Sequence, residues 1–206
     1  MSVTNPQDRA AVVATGKRLA YFTVIWNLLE GVVSLIAGFL AGNISLVGFG
    51  FDSFIEVASG LTVLWRMGLD HDIRDRKRND DLALRLIGYS FLALAAWLIF
   101  ESTTSFIDQK PPDRTVAGIV IAALSMVVMP ILSKAKRKVA SQLKSGAMYA
   151  DAKQTRFCAY LSAIVLISVL LNFYFGWWWA DPVAGIIMAA IIGKEGINPS
   201  LDENCC

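Results

Sequence analysis

A chain of 206 residues with 55% hydrophobic side chains, 17% charged ones and a mean hydropathy of +0.52 is too apolar to be one water-soluble domain. Its net charge of +2 is the small balance of 19 basic and 17 acidic residues and gives no reason to expect nucleic acid as a partner. Three cysteines, two of them at the very end, exclude a disulfide framework.

Apolar runs of roughly 20 residues, the length that crosses a bilayer, fall at about 19–41, 44–66, 84–106, 115–133, 150–172 and 180–193. They predict an all-α integral membrane protein of six transmembrane helices. Residues 1–18 form a polar amino-terminal segment, 19–193 the membrane domain and 194–206 a short tail. The first run begins behind a polar stretch with no small-residue cleavage pattern, so no signal peptide is expected. It carries Glu30 and the small residues Gly31, Ser34, Gly38 and Gly42, whose near-helical spacing permits close helix contact. With no soluble domain expected after the sixth run, a homodimer has to form through the membrane.

The second run contains "GFGFDSFIE", with Asp52 and Glu56 four residues apart and therefore on one helix face. Carboxylates in mid-membrane are costly and mark function, and nothing in this run neutralises them. The stretch "DHDIRDRKRND" at 70–80 alternates in sign and reads as a solvated loop. His71, the sole histidine, stands there between Asp70 and Asp72 as a weak metal candidate. Glu101 lies near the far boundary of the third run. The fifth opens "YADAKQTRFCAYLS", where Asp151, Gln154, Thr155 and Cys158 follow i, i+3, i+4, i+7 and form one stripe. Thr155 and Ser162 on that helix read as residues that tie helices together. Asp181, opening the sixth run, is favoured by that helix's own dipole. Cys205 and Cys206 belong to a solvated tail, with metal or lipid attachment as the alternatives.

Lysine and arginine set the expected orientation. Seventeen of the 19 precede the first run, flank the second and fourth connections or follow the sixth run, and only Lys110 and Arg114 lie across the membrane. The positive-inside rule therefore places both termini in the cytoplasm. Trp177, Trp178, Trp179 and Tyr174 mark the opposite interface. Counted inward from the outer ends at 1.5 Å per residue, Glu56 lies roughly 18 Å deep and Cys158 roughly 21 Å. The two acidic stripes therefore meet at one level.

These residues resemble the cation diffusion facilitators, six-span exporters of divalent metal ions. The family's second span carries Asp-Ser-x-x-Asp, matched here by Asp52, Ser53 and Glu56. "ADAKQTRFCAYLS" aligns with its fifth span, with Gln154 at the ligand histidine and Cys158 at the aspartate, and "WADP" at 179–182 is similar to the start of its sixth. The pattern is most similar to the branch that includes transmembrane protein 163, for which the resemblance implies zinc binding or efflux and homodimers.

Two carboxylates, an amide oxygen and a thiolate supply the four donors that a tetrahedral Zn²⁺ takes. The metal set is then Asp52, Glu56, Gln154 and Cys158 with Asp151 beside them, and Glu30 and Glu101 are candidates for proton coupling or support. Sulfur discriminates against Mg²⁺ and Ca²⁺, whereas Fe²⁺, Mn²⁺ and Co²⁺ remain open. The expected function is export of a divalent metal ion from the cytoplasm by proton antiport through alternating access, in a bacterial plasma membrane, with the ion as substrate and no organic cofactor. The alternatives are a proton-coupled transporter of small organic cations and a membrane protein that binds metal without moving it. An enzyme is not expected, for want of a nucleophile with its base or a metalloprotease signature.

Overall fold

The computed structural model describes residues 6–68, 73–109, 111–143 and 146–197. His71, Cys205 and Cys206 lie outside the described residues. Six helices follow one another: α1 (Pro6–Ala41), α2 (Ile44–Gly68), α3 (Ile73–Asp108), α4 (Val116–Leu143), α5 (Gly146–Phe175) and α6 (Ala180–Ile197). No strand occurs among the described residues. The first five helices each contain a stretch long and apolar enough to cross a membrane. The sixth has 18 residues and carries Asp181, Lys194 and Glu195. At 1.5 Å per residue it is about 27 Å long, close to the thickness of a hydrocarbon core.

Several helices run well past the apolar segments. Residues 73–80, expected as loop, are the first turns of α3, because from Ile73 to Ile87 the chain has neither glycine nor proline and is rich in residues of good helix propensity. Helix α4 continues to Leu143 through Lys134, Lys136, Arg137 and Lys138, with Pro130 inside it removing one ladder hydrogen bond.

Helix α1 packs chiefly on α2, α4 on α5 and α3 on α6, around a core that includes Leu46, Phe49, Leu98, Met129, Leu161 and Met188. The small residues of α1 are used within the chain. Cβ atoms added at Gly31 and Gly38 would come within 2.9 Å of the Phe54 ring and 2.7 Å of Val47, so both glycines let α2 lie close.

The α1–α2 corner pairs the backbone N–H groups of residues 42–47. Gly42, at a φ of 61°, ends α1 by sending its N–H to Phe39 O, and Asn43 N–H reaches Gly38 O at 2.9 Å, the pairing of a left-handed glycine cap. A new helix leaves its first four N–H groups without helical partners. Here Ile44 and Ser45 N–H donate to the two carboxylate oxygens of Asp181 at 2.7 and 2.9 Å, Leu46 N–H donates to Asn43 Oδ1 at 2.8 Å, and Val47 N–H donates to Asn43 O. Asp181 therefore serves the amino end of α2, and not only the helix it begins.

Candidate metal site

Buried polar residues line the inner faces of four helices at helical spacing: Thr23, Asn27, Glu30 and Ser34 on α1; Asp52, Ser53, Glu56 and Ser59 on α2; Ser125, Ser133 and Lys136 on α4; and Asp151, Thr155, Cys158 and Ser162 on α5. Each stripe continues the apolar face that packs into the bundle, so the acids arrive at the core by helix periodicity.

Glu30 is fully enclosed. Its Oε2 accepts from Trp26 Nε1 at 2.9 Å and from the Ser125 hydroxyl, and its Oε1 accepts from Ser53 Oγ at 2.7 Å and the Cys158 thiol at 3.5 Å. Four helices thus meet on one carboxylate. The Cys158 thiol also neighbours Glu56.

Lys136 organises the second half of the cluster. This fully buried ammonium lies 2.8 Å from Asp151 Oδ2 and 3.9 Å from Glu56 Oε1, and donates to Thr155 Oγ1 at 2.8 Å. Thr155 in turn hydrogen bonds to Glu56 Oε1. Within α2 nothing neutralises Asp52 and Glu56; the positive charge beside Glu56 comes from another helix. Placed by its charge at the membrane surface, Lys136 is turned inward because α4 stays helical, while Lys134, Arg137 and Lys138 are exposed. A usable signal was present. Ser125, Met129, Leu132, Ser133, Lys136, Val139 and Ala140 follow one buried stripe at spacings of three and four.

Asp52 is 5% exposed and has Glu56 and Glu30 as its electrostatic neighbours. Among the described residues, this cluster thus holds four buried carboxylates (Glu30, Asp52, Glu56 and Asp151) and one buried ammonium, which reaches Asp151 and Glu56. Two of their oxygens, Glu56 Oε2 and Asp151 Oδ1, have no hydrogen-bond partner, an arrangement that is expensive unless something else is bound there at some stage.

Of the residues named from sequence, Asp52, Glu56, Asp151, Cys158 and Glu30 come together. Gln154 is half-exposed, and its buried Nε2 makes no hydrogen bond. Glu101 lies apart on α3, lining an open cleft with Asn43, Trp97, Asp108 and Asp113 beside the α1–α2 corner. No three His, Cys, Asp or Glu side chains among the described residues converge on a single point as they stand. Sequence reading missed Lys136, Ser125 and Trp26.

Over residues 20–200 the chain matches the family model described as the cation efflux transmembrane domain. It is 23% identical over 172 residues to the cation-efflux pump FieF of Shewanella oneidensis, a match covering 81% of this chain and 58% of that protein. It is 27% identical over 186 residues to an uncharacterized transporter of Methanocaldococcus jannaschii, covering 85% and 64%. To a cadmium, cobalt and zinc/H(+)-K(+) antiporter of Bacillus subtilis it is 24% identical over 186 residues, covering 84% and 57%. The chain spans about three fifths of the length of these relatives.

Proposed function

The chain belongs to the cation efflux transmembrane domain family, and on that premise we propose that it carries a divalent metal cation out of the cytoplasm in exchange for protons. The observation that carries this reading is the excess of buried carboxylates over ammonium, with Glu56 Oε2 and Asp151 Oδ1 left without partners. Such a cluster is short of positive charge, and a divalent cation supplies it. Asp52, Glu56, Asp151 and Cys158 are the ligands, with Gln154 at their rim, while Glu30 holds the thiol of Cys158 in place.

Zinc is the foremost cargo. A mixed oxygen and sulfur set suits it, and the Bacillus subtilis relative is named for cadmium, cobalt and zinc. Carboxylates and thiolates bind metal only when deprotonated, so protons and the ion compete for the same groups. With alternating access of the site to the two sides, that competition gives antiport: protons entering from outside displace the ion outward, and the ion displaces them in the cytoplasm. In this reading both termini lie in the cytoplasm, which the distribution of lysine and arginine supports, and the protein works as a homodimer in a bacterial plasma membrane.

Sealed proteoliposomes containing a zinc indicator and an imposed pH gradient test this. Zinc uptake driven by the gradient, and absent with Asp52→Asn, is the expected result. Binding of zinc without flux would leave a metal-binding membrane protein, and uptake of an organic cation in its stead would replace the metal as cargo.

A further inference from the structure

The mechanism above accounts for the acids of the cluster but not for its one buried cation. Lys136 is 0% exposed, and among the described residues the partners of its ammonium all belong to the cluster: Asp151 at 2.8 Å, Thr155 at 2.8 Å and Glu56 at 3.9 Å. Thr155 passes the contact on, since the hydroxyl that accepts from Lys136 also bonds to Glu56. Ser133, one turn earlier on α4, ties that helix to Ala152 O of α5 at 2.7 Å, so the backbone from which Lys136 reaches across is held in register with its partners.

A lysine side chain has four methylenes and a freely turning ammonium, so the charge moves without movement of the helix. Both carboxylates it touches, Asp151 and Glu56, carry oxygens that a bound divalent ion would use. We propose that Lys136 is a tethered internal competitor: its ammonium occupies the Glu56 and Asp151 side of the site when no ion is bound, and an arriving divalent cation must displace it. The inference rests on the transport reading and makes Lys136 a residue that sets affinity without being a ligand. Its effect is to weaken ion binding and hasten release, since the ammonium returns to the carboxylates as the ion leaves.

The sign of the effect separates this role from a merely structural one. A structural lysine, when lost, leaves metal binding weaker or unchanged; a competitor, when lost, leaves it tighter. The probe is Co²⁺ alone, titrated calorimetrically into the purified full chain. Lys136→Met keeps the length and removes the charge, and is expected to tighten Co²⁺ binding about tenfold or more, since a unit charge at roughly 4 Å in a protein interior is worth more than the free energy of one decade in affinity. Lys136→Arg keeps a charge there and is expected to keep wild-type affinity or weaken it.

Because Lys136→Met strands Asp151, the same comparison is made where that carboxylate is already gone: Lys136→Met with Asp151→Asn, against Asp151→Asn alone. The double variant is expected to bind Co²⁺ more tightly than the single one. Equal or weaker binding when Lys136 is removed, in either background that folds, overturns the proposal and leaves the transport reading standing. No Co²⁺ binding in wild type or in any of the variants overturns both.

Discussion

The Nζ of Lys136 lies 2.8 Å from Oδ2 of Asp151, and both side chains are sealed from solvent. Removing one member of a buried pair strands the other, which costs about 3–5 kcal/mol. We expect Lys136→Met to lose stability on that scale in detergent unfolding. Asp151→Asn should lose less, because Lys136 retains Glu56 at 3.9 Å and the Thr155 hydroxyl. The double variant should be more stable than the sum of the two losses implies, and additive losses would show that the residues do not act as a pair.

Asp52 and Glu56 lie one turn apart on α2 and are both buried. In cells whose growth depends on zinc removal, Asp52→Asn and Glu56→Gln should each abolish rescue at unchanged abundance in the membrane. Full rescue by the double amide variant would remove α2 from the site.

Cys158→Ser exchanges a soft donor for a hard one at nearly constant volume. The serine keeps a hydroxyl donor on the side of Glu30, so folding should be little affected. Zinc and cobalt binding should fall steeply and manganese binding much less. Cobalt bound to a thiolate gives a charge-transfer absorption in the near ultraviolet, which the serine variant must lack. A wild type with bound cobalt but no such absorption would make Cys158 a packing residue.

Two glycines give opposite expectations. A Cβ at Gly38 would stand 2.9 Å from the backbone N of Val47, which cannot turn aside, so Gly38→Ala should cost about 1–3 kcal/mol through overpacking at the α1–α2 contact. Among the described residues, a Cβ at Gly193 would meet only Ala95 Cβ at 3.5 Å, an ordinary contact. Gly193→Ala should therefore be neutral or stabilise by up to about 1 kcal/mol through helix propensity. Thermal unfolding of the two variants side by side decides this.

Asp181→Ala should lower stability by about 1–2 kcal/mol or more, the scale of a lost helix cap with its N–H groups left buried. Asp181→Asn retains one acceptor oxygen and should recover part of the loss. If alanine is as stable as wild type, water must replace the carboxylate at Ile44 and Ser45.

The membrane helices and the acidic stripes were legible because both are periodic in one helix at a time. Asp52 with Glu56, and Asp151 with Thr155 and Cys158, follow from spacing, and their burial requires only that each helix turn its apolar face inward. Gln154 belongs to the same spacing yet stays half-exposed, since a stripe is wider than the part of it a neighbouring helix covers. Lys136 was illegible to a charge count, in which a lysine beside Lys134, Arg137 and Lys138 reads as a surface residue. Its role depends on α5 lying opposite with Asp151, a contact between helices that no periodicity within α4 contains. The double service of Asp181 was hidden for the same reason, as its partners lie 136 and 137 positions earlier.

That separation also runs in time. A ribosome finishes α2 just over a hundred residues before it reaches Asp181, so the helix bearing Asp52 and Glu56 enters the bilayer with the first two N–H groups at its amino end still waiting for their acceptor. Only when α6 is threaded into place is that end closed. The sixth helix therefore completes the second, and a nascent chain interrupted before residue 181 holds that end of its acid-bearing helix by Asn43 and side-chain packing, with Ile44 and Ser45 N–H uncapped.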